Sequence, residues 1–286
     1  TGNGSPSKEI VACNANHRVE EGFETLKKLE QIADHDDQIA QQFILRSKVL
    51  LGVLDQRYTP QEQIDLLMQA IRLTVPRFNL DEIERFFYST DEIKIINQIG
   101  IAYPMRTNKK AADIYYQLLK YVRKHFEETI TSVGILPMVY FNYARVLDLC
   151  GRYEDSAECA EEGRKACLKY GHYQYLPHCL EIQAECAHFM GDDKKARISI
   201  VNAIICARSS NTRKDWKLPK RKQKNIWAWN LNLKSFTPPE TRHITAYPIR
   251  PGLRAVLFRS RQSEAWASLQ VQRQSRGQPA DWWPEQ

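Results

Sequence analysis

The chain has 286 residues, enough for one or two domains with a substantial buried core. Its 43% hydrophobic and 26% charged content is ordinary for a soluble globular protein. No run of about eighteen apolar residues exists and no signal peptide opens the chain, so no membrane association is expected and a cytoplasmic location is. The first residue is Thr1 rather than Met, which points to a start further upstream.

The net charge of +7 is unevenly placed. Residues 1–208 carry 26 Lys and Arg against 29 Asp and Glu, whereas 209–286 carry 15 against 5. A basic face on the folded part would point to nucleic acid. Here the basicity belongs to the tail, which also holds all six Trp and seven of the thirteen Pro.

In chain order, residues 1–16 read as a disordered lead-in because Gly, Ser, Pro and Asn dominate them. From His17 onward apolar residues recur at three and four, the period of amphipathic helices. This predicts helices over 18–33, 37–53, 60–73, 80–88, 91–104, 108–126, 136–150, 153–170, 175–190 and 193–208. The turns between them are short and polar: DHDD, DQRYTP, PRFN, RTNK, GR, YGHY and GDD. Strict alternation is missing, so no sheet is expected. Helices joined by short turns pack as antiparallel neighbours. The expected fold is therefore all-α, a tetratricopeptide-like α-solenoid of stacked hairpins over 17–208, with a mostly disordered tail over 209–286.

Three segments support a repeat: IINQIGIAYPMRTNKKAADIYYQLL, VYFNYARVLDLCGRYEDSAECAEEG and HCLEIQAECAHFMGDDKKARISIVNA. Aligned on Ala112, Ser156 and Ala196, they place Gly100, Ala144 and Ala184 twelve residues earlier and Tyr116, Ala160 and Ile200 four residues later. Small residues let paired helices approach, and the larger ones fill the space beside them. Gly151 and Gly191 mark the turns of the last two copies. The steps of 44 and 40 residues exceed the usual period of about 34, so longer helices are predicted. Residues 38–74 look like a further, weaker pair.

Catalytic chemistry is not expected. The seven cysteines contain no C-x-x-C pair, and six lie in helical patterns, where a free Cys acts as a small buried apolar residue. The histidines form no HExxH, and no phosphate-binding glycine loop or nucleophile elbow is present. Adjacent carboxylates such as Asp36 and Asp37, or Glu161 and Glu162, point in different directions. No metal or cofactor is implied. Tyr88, Tyr103, Tyr115, Tyr116, Tyr140, Tyr143 and Tyr153 read as packing residues.

Stacked hairpins form a superhelix whose first helices line a concave groove for an extended peptide or a helix. The helical wheel sends Asn97, Asn142, Arg145, Glu181 and Glu185 toward that groove, with Arg46 and Gln42 from the earlier pair. Asn both donates to and accepts from peptide backbone, and Arg pairs with a carboxylate in forked geometry.

QQFILRSKVLLG, EQIDLLMQAIRLTVPRFNLDEIERFFYSTDEIKIINQIGIAY and LCGRYEDSAECAEEGRKACLKYGHYQYLP resemble the C-terminal sensor region of bacterial helix-turn-helix regulators of the Rgg and PlcR type, over about residues 20–208. The resemblance implies a homodimeric cytoplasmic transcription regulator that binds a short signalling peptide, as in quorum sensing. It also implies that DNA is bound only through an N-terminal helix-turn-helix domain, which this chain lacks. A generic tetratricopeptide scaffold for a partner-protein segment is the alternative.

Such regulators end in a charged helix closing with a Tyr-Leu-Gly-Leu-Glu-like sequence. Asn225 to Asn230, NIWAWN, requires codons that read from each third base as Tyr or His, Leu or Met, Gly, then Leu, Val or Met, and Glu. Extended back over DWKLPKRKQK, the same shift allows an amphipathic helix. This predicts a frame slip near residues 208–216 and out-of-frame translation beyond it. The competing expectation is a genuine basic arm that releases counterions on binding nucleic acid.

Overall fold

A computed structural model describes residues 5–103, 109–125 and 134–209, with side chains to residue 207. The tail, whether arm or frameshift product, lies outside the described residues. The chain divides into two compact units, with the boundary between Ile32 and Ala33. No strand occurs among the described residues.

In the first unit, helices α1 (Pro6–Ala15) and α2 (Val19–Ile32) pack as a hairpin. This corrects the expected disordered lead-in. Pro6 sits in the first turn, where its missing N–H costs nothing and its fixed φ suits the helix. Ile10 and Cys13, three apart, then bury on one face. His17 takes φ 57°, and Arg18 N–H closes onto the Cys13 carbonyl at 2.9 Å to reverse the chain.

The second unit holds α3 (Gln38–Leu54), α4 (Pro60–Thr74), α5 (Thr90–Ala102), α6 (Lys109–His125), α7 (Ile135–Leu149), α8 (Tyr153–Tyr170), α9 (Leu176–Phe189) and α10 (Asp193–Ser209). They pair in sequence as α3/α4, α5/α6, α7/α8 and α9/α10, each pair packing on the next. The α7 helix meets both α5 and α9, whereas α4, α6 and α8 reach the following hairpin through its first helix. The first helices thus form the more closely spaced layer, which is the inner side of a curved stack.

Local signals set the helix ends. Asp37 caps α3 by accepting from the Ile39 and Ala40 amides at 3.0 Å, while Thr59 with Glu62 and Ser89 with Glu92 form reciprocal capping boxes. Gly151 and Gly191 turn with φ of 76° and 83°, a region that a side chain disfavours.

The helix expected over 80–88 is instead a 3-10 turn at Ile83–Arg85 inside an extended connection. Side chains of α6 supply what a helix would have supplied. Gln117 Oε1 accepts from the Ile83 amide at 3.0 Å, its Nε2 donates to the Leu80 carbonyl at 3.2 Å, and the Tyr121 hydroxyl accepts from the Tyr88 amide at 2.9 Å. Such bonds compete with helical ones at equal cost to the backbone.

The repeat's small residues are buried: Gly100, Ala144 and Ala184 on the first helices, Ser156 and Ala196 on the second. Ser156 Oγ donates to the Ala144 carbonyl at 2.7 Å, which fixes the α7/α8 approach. In α6 the register is one residue earlier than expected. Tyr116 is 59% exposed, and Ala111 and Tyr115 occupy the packing positions, with the Tyr115 ring lying where a Cβ on Gly100 would fall. Tyr88 and Tyr140 are buried, as the packing reading expected, and Tyr103, Tyr143 and Tyr153 are half-buried.

Gly163 of α8 sits where a Cβ would come within 3.0 Å of both Cys179 Sγ and Tyr140 Cβ. Neither neighbour is the free end of a long side chain. Gly163→Val is expected to lower stability by about 3 kcal/mol through overpacking. An unchanged urea midpoint would show that α7, α8 and α9 do not meet at this point.

Candidate functional site

Each first helix presents one side to its partner in the hairpin and one to the inner face. On α7, Ala144 and Tyr140 face α8 through Ser156 and Cys159, so the opposite side, holding Arg145 and Met138 with Asn142 and Phe141 flanking, faces inward. On α9, Cys179 and Gln183 face α8, Gln183 by donating to Glu161 at 2.7 Å, which leaves Glu181, Glu185 and His178 on the inner side.

The structure joins Asn97 and Asn142. Asn142 Nδ2 donates to Asn97 Oδ1 at 2.9 Å, tying α5 to α7, and the Tyr115 hydroxyl donates to the Asn97 backbone carbonyl at 2.8 Å. Both carboxamides are buried. Each keeps one polar atom outside this bond, Nδ2 of Asn97 and Oδ1 of Asn142.

Arg46 makes the equivalent tie between α3 and α5. Its Nε donates to Gln98 Oε1 at 2.9 Å, and Nη1 lies 3.7 Å from Asp91 Oδ1, which Lys94 Nζ also approaches at 3.1 Å. Burial pushes the Arg46 guanidinium below the ordinary arginine range, and the Asp91 carboxylate opposes that shift. The guanidinium remains charged and is held by these partners.

Gln42 does not belong to the groove. It is buried and donates to the Ala70 carbonyl at 3.0 Å and Thr74 Oγ1 at 2.7 Å, so its amide caps α4 from within the α3/α4 hairpin. The wheel placed it on the same stripe as Arg46, four residues away. Only the position of α4 distinguishes their roles.

Arg145 is exposed, and no carboxylate among the described residues lies within ion-pairing distance of it. Glu181 is buried, with Oε2 3.8 Å from His178 Nδ1, and Glu185 is half-buried. The His178 ring lies 5.0 Å from Phe141, which also stacks on Tyr175 at 5.9 Å. Gln98, Phe141 and His178 were not singled out by the sequence reading. Each lies beside or three residues from a residue that was, so widening the stripe by one position would have included them.

The inner face thus runs from Arg46 and Lys94, past the Asn97–Asn142 pair and Arg145, to Glu181 and Glu185. It carries the paired amides of Asn97 and Asn142 and charges of both signs.

No helix among the described residues is long and apolar enough to cross a membrane. No family model matches the chain, and no curated protein matches its sequence. Among solved structures, the chain is similar to Bacillus thuringiensis PlcR in complex with the peptide PapR7 and DNA, at 16% identity and a TM-score of 0.58, over 79% of this chain and 73% of that one. It is also similar to BtubC (BKLC) from P. vanneervenii, at 12% identity and a TM-score of 0.54, over 74% of this chain and 81% of that one. At these identities the likeness is one of fold: this chain has the stacked, tetratricopeptide-like helical architecture.

Proposed function

We propose that this chain is the peptide-sensing, dimerising regulatory part of a bacterial helix-turn-helix transcription regulator that acts in the cytoplasm. On this reading a short signalling peptide lies extended along the inner face, and DNA is bound by a domain outside this chain. The observation that carries the proposal is Arg145, an exposed guanidinium on the inner side of α7, one turn from the amide of Asn142. A guanidinium without a carboxylate of its own, on the solvent side of the buried Asn97–Asn142 pair, suits a peptide carboxylate. Glu181 and Glu185 on the next first helix suit an amine or a basic side chain at the other end.

Signalling follows by population shift. A ligand touching α5, α7 and α9 together favours the curvature that best spaces them, and a dimer built on the stack changes its own spacing with it. The alternative, a scaffold for a segment of a partner protein, uses the same face and differs in the ligand it needs.

A library of short linear peptides with free carboxyl termini, and the same library amidated, separates the two by fluorescence polarisation. Binding that needs the free carboxylate supports the sensor. Binding indifferent to amidation, restricted to long segments, would favour the scaffold, and no binding to either library would remove the sensor reading.

A further inference from the structure

Just past the Asn97–Asn142 pair, the inner face between α5 and α7 turns apolar. The first helices run in the same direction and rise about 1.5 Å per residue. Ile101, four residues past Asn97, and Arg145, three past Asn142, therefore lie at nearly the same height, about one turn beyond the buried amides. Leu149, seven residues past Asn142, takes almost the same direction around α7 as that amide, toward α5. Ile101 leans the other way, from α5 toward α7, because Asn97 marks that side and a step of four residues turns by only about 40°. Val53 of α3 stands behind them. It is seven residues past Arg46, whose guanidinium reaches both Asp91 and Gln98, and Ile101 is nearly as far past the midpoint of those two.

Ile101 is 42% exposed and Val53 49%, while Leu149 is half-buried. Three helices thus bring apolar side chains to one gap beside the exposed Arg145. The charges nearest to it are directed elsewhere. Arg46 and Lys94 are both held by Asp91, and Asp148 turns to the α9 side, where Cys186 Sγ lies 3.9 Å from its Oδ1.

We propose that this gap is the subsite for the side chain of the ligand's last residue, and that it selects a large aliphatic or aromatic residue at a free carboxyl terminus. The inference rests on the sensor reading above. A carboxylate on Arg145, with the amine end toward Glu181 and Glu185, leaves the last side chain directed away from α9, over Ile101 and Leu149. Leucine or phenylalanine covers more apolar surface there than alanine does, and a charged side chain would lose hydration without gaining a partner. Recognition is divided accordingly. Arg145 reads the carboxylate, and Ile101, Leu149 and Val53 read the side chain on the same residue.

The test uses the full chain and pools of short peptides, free or amidated at the carboxyl terminus, with the last residue fixed as Leu, Phe, Ala, Asp or Lys and the others mixed. Fluorescence polarisation should show the free Leu and Phe pools binding about tenfold or more tightly than the Ala, Asp and Lys pools, with affinity lost on amidation. Ile101→Ser should shrink the Leu-to-Ala ratio below about threefold while amidation still weakens binding, because the carboxylate contact is untouched. Val53→Ser should shrink it less. Both side chains are exposed enough for these changes to leave the fold standing, and the parent's ranking of the pools tests the subsite without either variant. Carboxylate-dependent binding that ignores the last residue, or that prefers Asp or Lys, would overturn the subsite and leave the sensor reading intact. A Leu preference undiminished in both variants would overturn it too. Absence of binding by every pool, free or amidated, would remove the sensor reading and the subsite with it.

Discussion

Tyr115→Ala is expected to lower the stability of the stack by about 3–5 kcal/mol, the range for deleting a large buried aromatic side chain. Tyr115 is fully buried and lies over Gly100, at the closest approach of α5 and α6. It also stacks on Tyr143 of the next hairpin, with ring centroids 6.5 Å apart, so it links two repeats. Its hydroxyl donates to the Asn97 carbonyl, and burial raises its ionisation far above the ordinary tyrosine range, so it stays a donor at any working pH. Tyr115→Phe removes only that bond and should cost about 1–2 kcal/mol. Urea unfolding of the two variants separates the contributions. A loss below about 1 kcal/mol in Tyr115→Ala would mean that α5 and α6 do not meet through this ring.

Arg145→Ala is expected to weaken peptide binding by about ten- to hundredfold, the equivalent of one lost hydrogen-bonded charge contact. Its stability should stay within about 0.5 kcal/mol of the parent, because the guanidinium is exposed and supports nothing in the fold. Asn142→Ala differs in kind. Losing its bond leaves Asn97 Oδ1 without its donor between α5 and α7, so affinity and stability should both fall, the latter by about 1–2 kcal/mol. Calorimetry with a carboxylate-dependent peptide from the library, beside urea melts, reads both quantities. If Arg145→Ala binds that peptide as well as the parent does, Arg145 is not part of the site.

The contrast between these two residues shows how far the sequence could be read. Asn142 and Arg145 fall on one stripe of α7, and periodicity alone treats them alike. In the structure one is spent on a neighbouring helix and the other faces solvent. Arg46 and Gln42 divide in the same way, the first tying α3 to α5 and the second capping α4. A wheel gives a direction around one helix axis. It carries no information on which neighbour occupies that direction, because that depends on packing angles set by residues far away in the chain.

Three local expectations differ from the structure. The connection before α5 looked helical because its apolar residues recur at suitable spacing, yet Gln117 and Tyr121 of α6 take up its backbone groups. Tyr115 and Tyr116 are adjacent and chemically identical, so composition could not say which would meet Gly100. Residues 6–15 looked disordered because of their flanks, although Pro6 and the Ile10–Cys13 pair carry a short helix.

The sequence by itself determined the helices from α2 to α10, their pairing, and the small residues at the α7/α8 and α9/α10 crossings. These follow from local physics: the 3.6-residue period, capping side chains, and glycine at left-handed turns. Only the tertiary structure decided which polar side chains are consumed between helices and which face solvent. Those outcomes depend on contacts between residues distant in sequence, whose geometry no single helix contains.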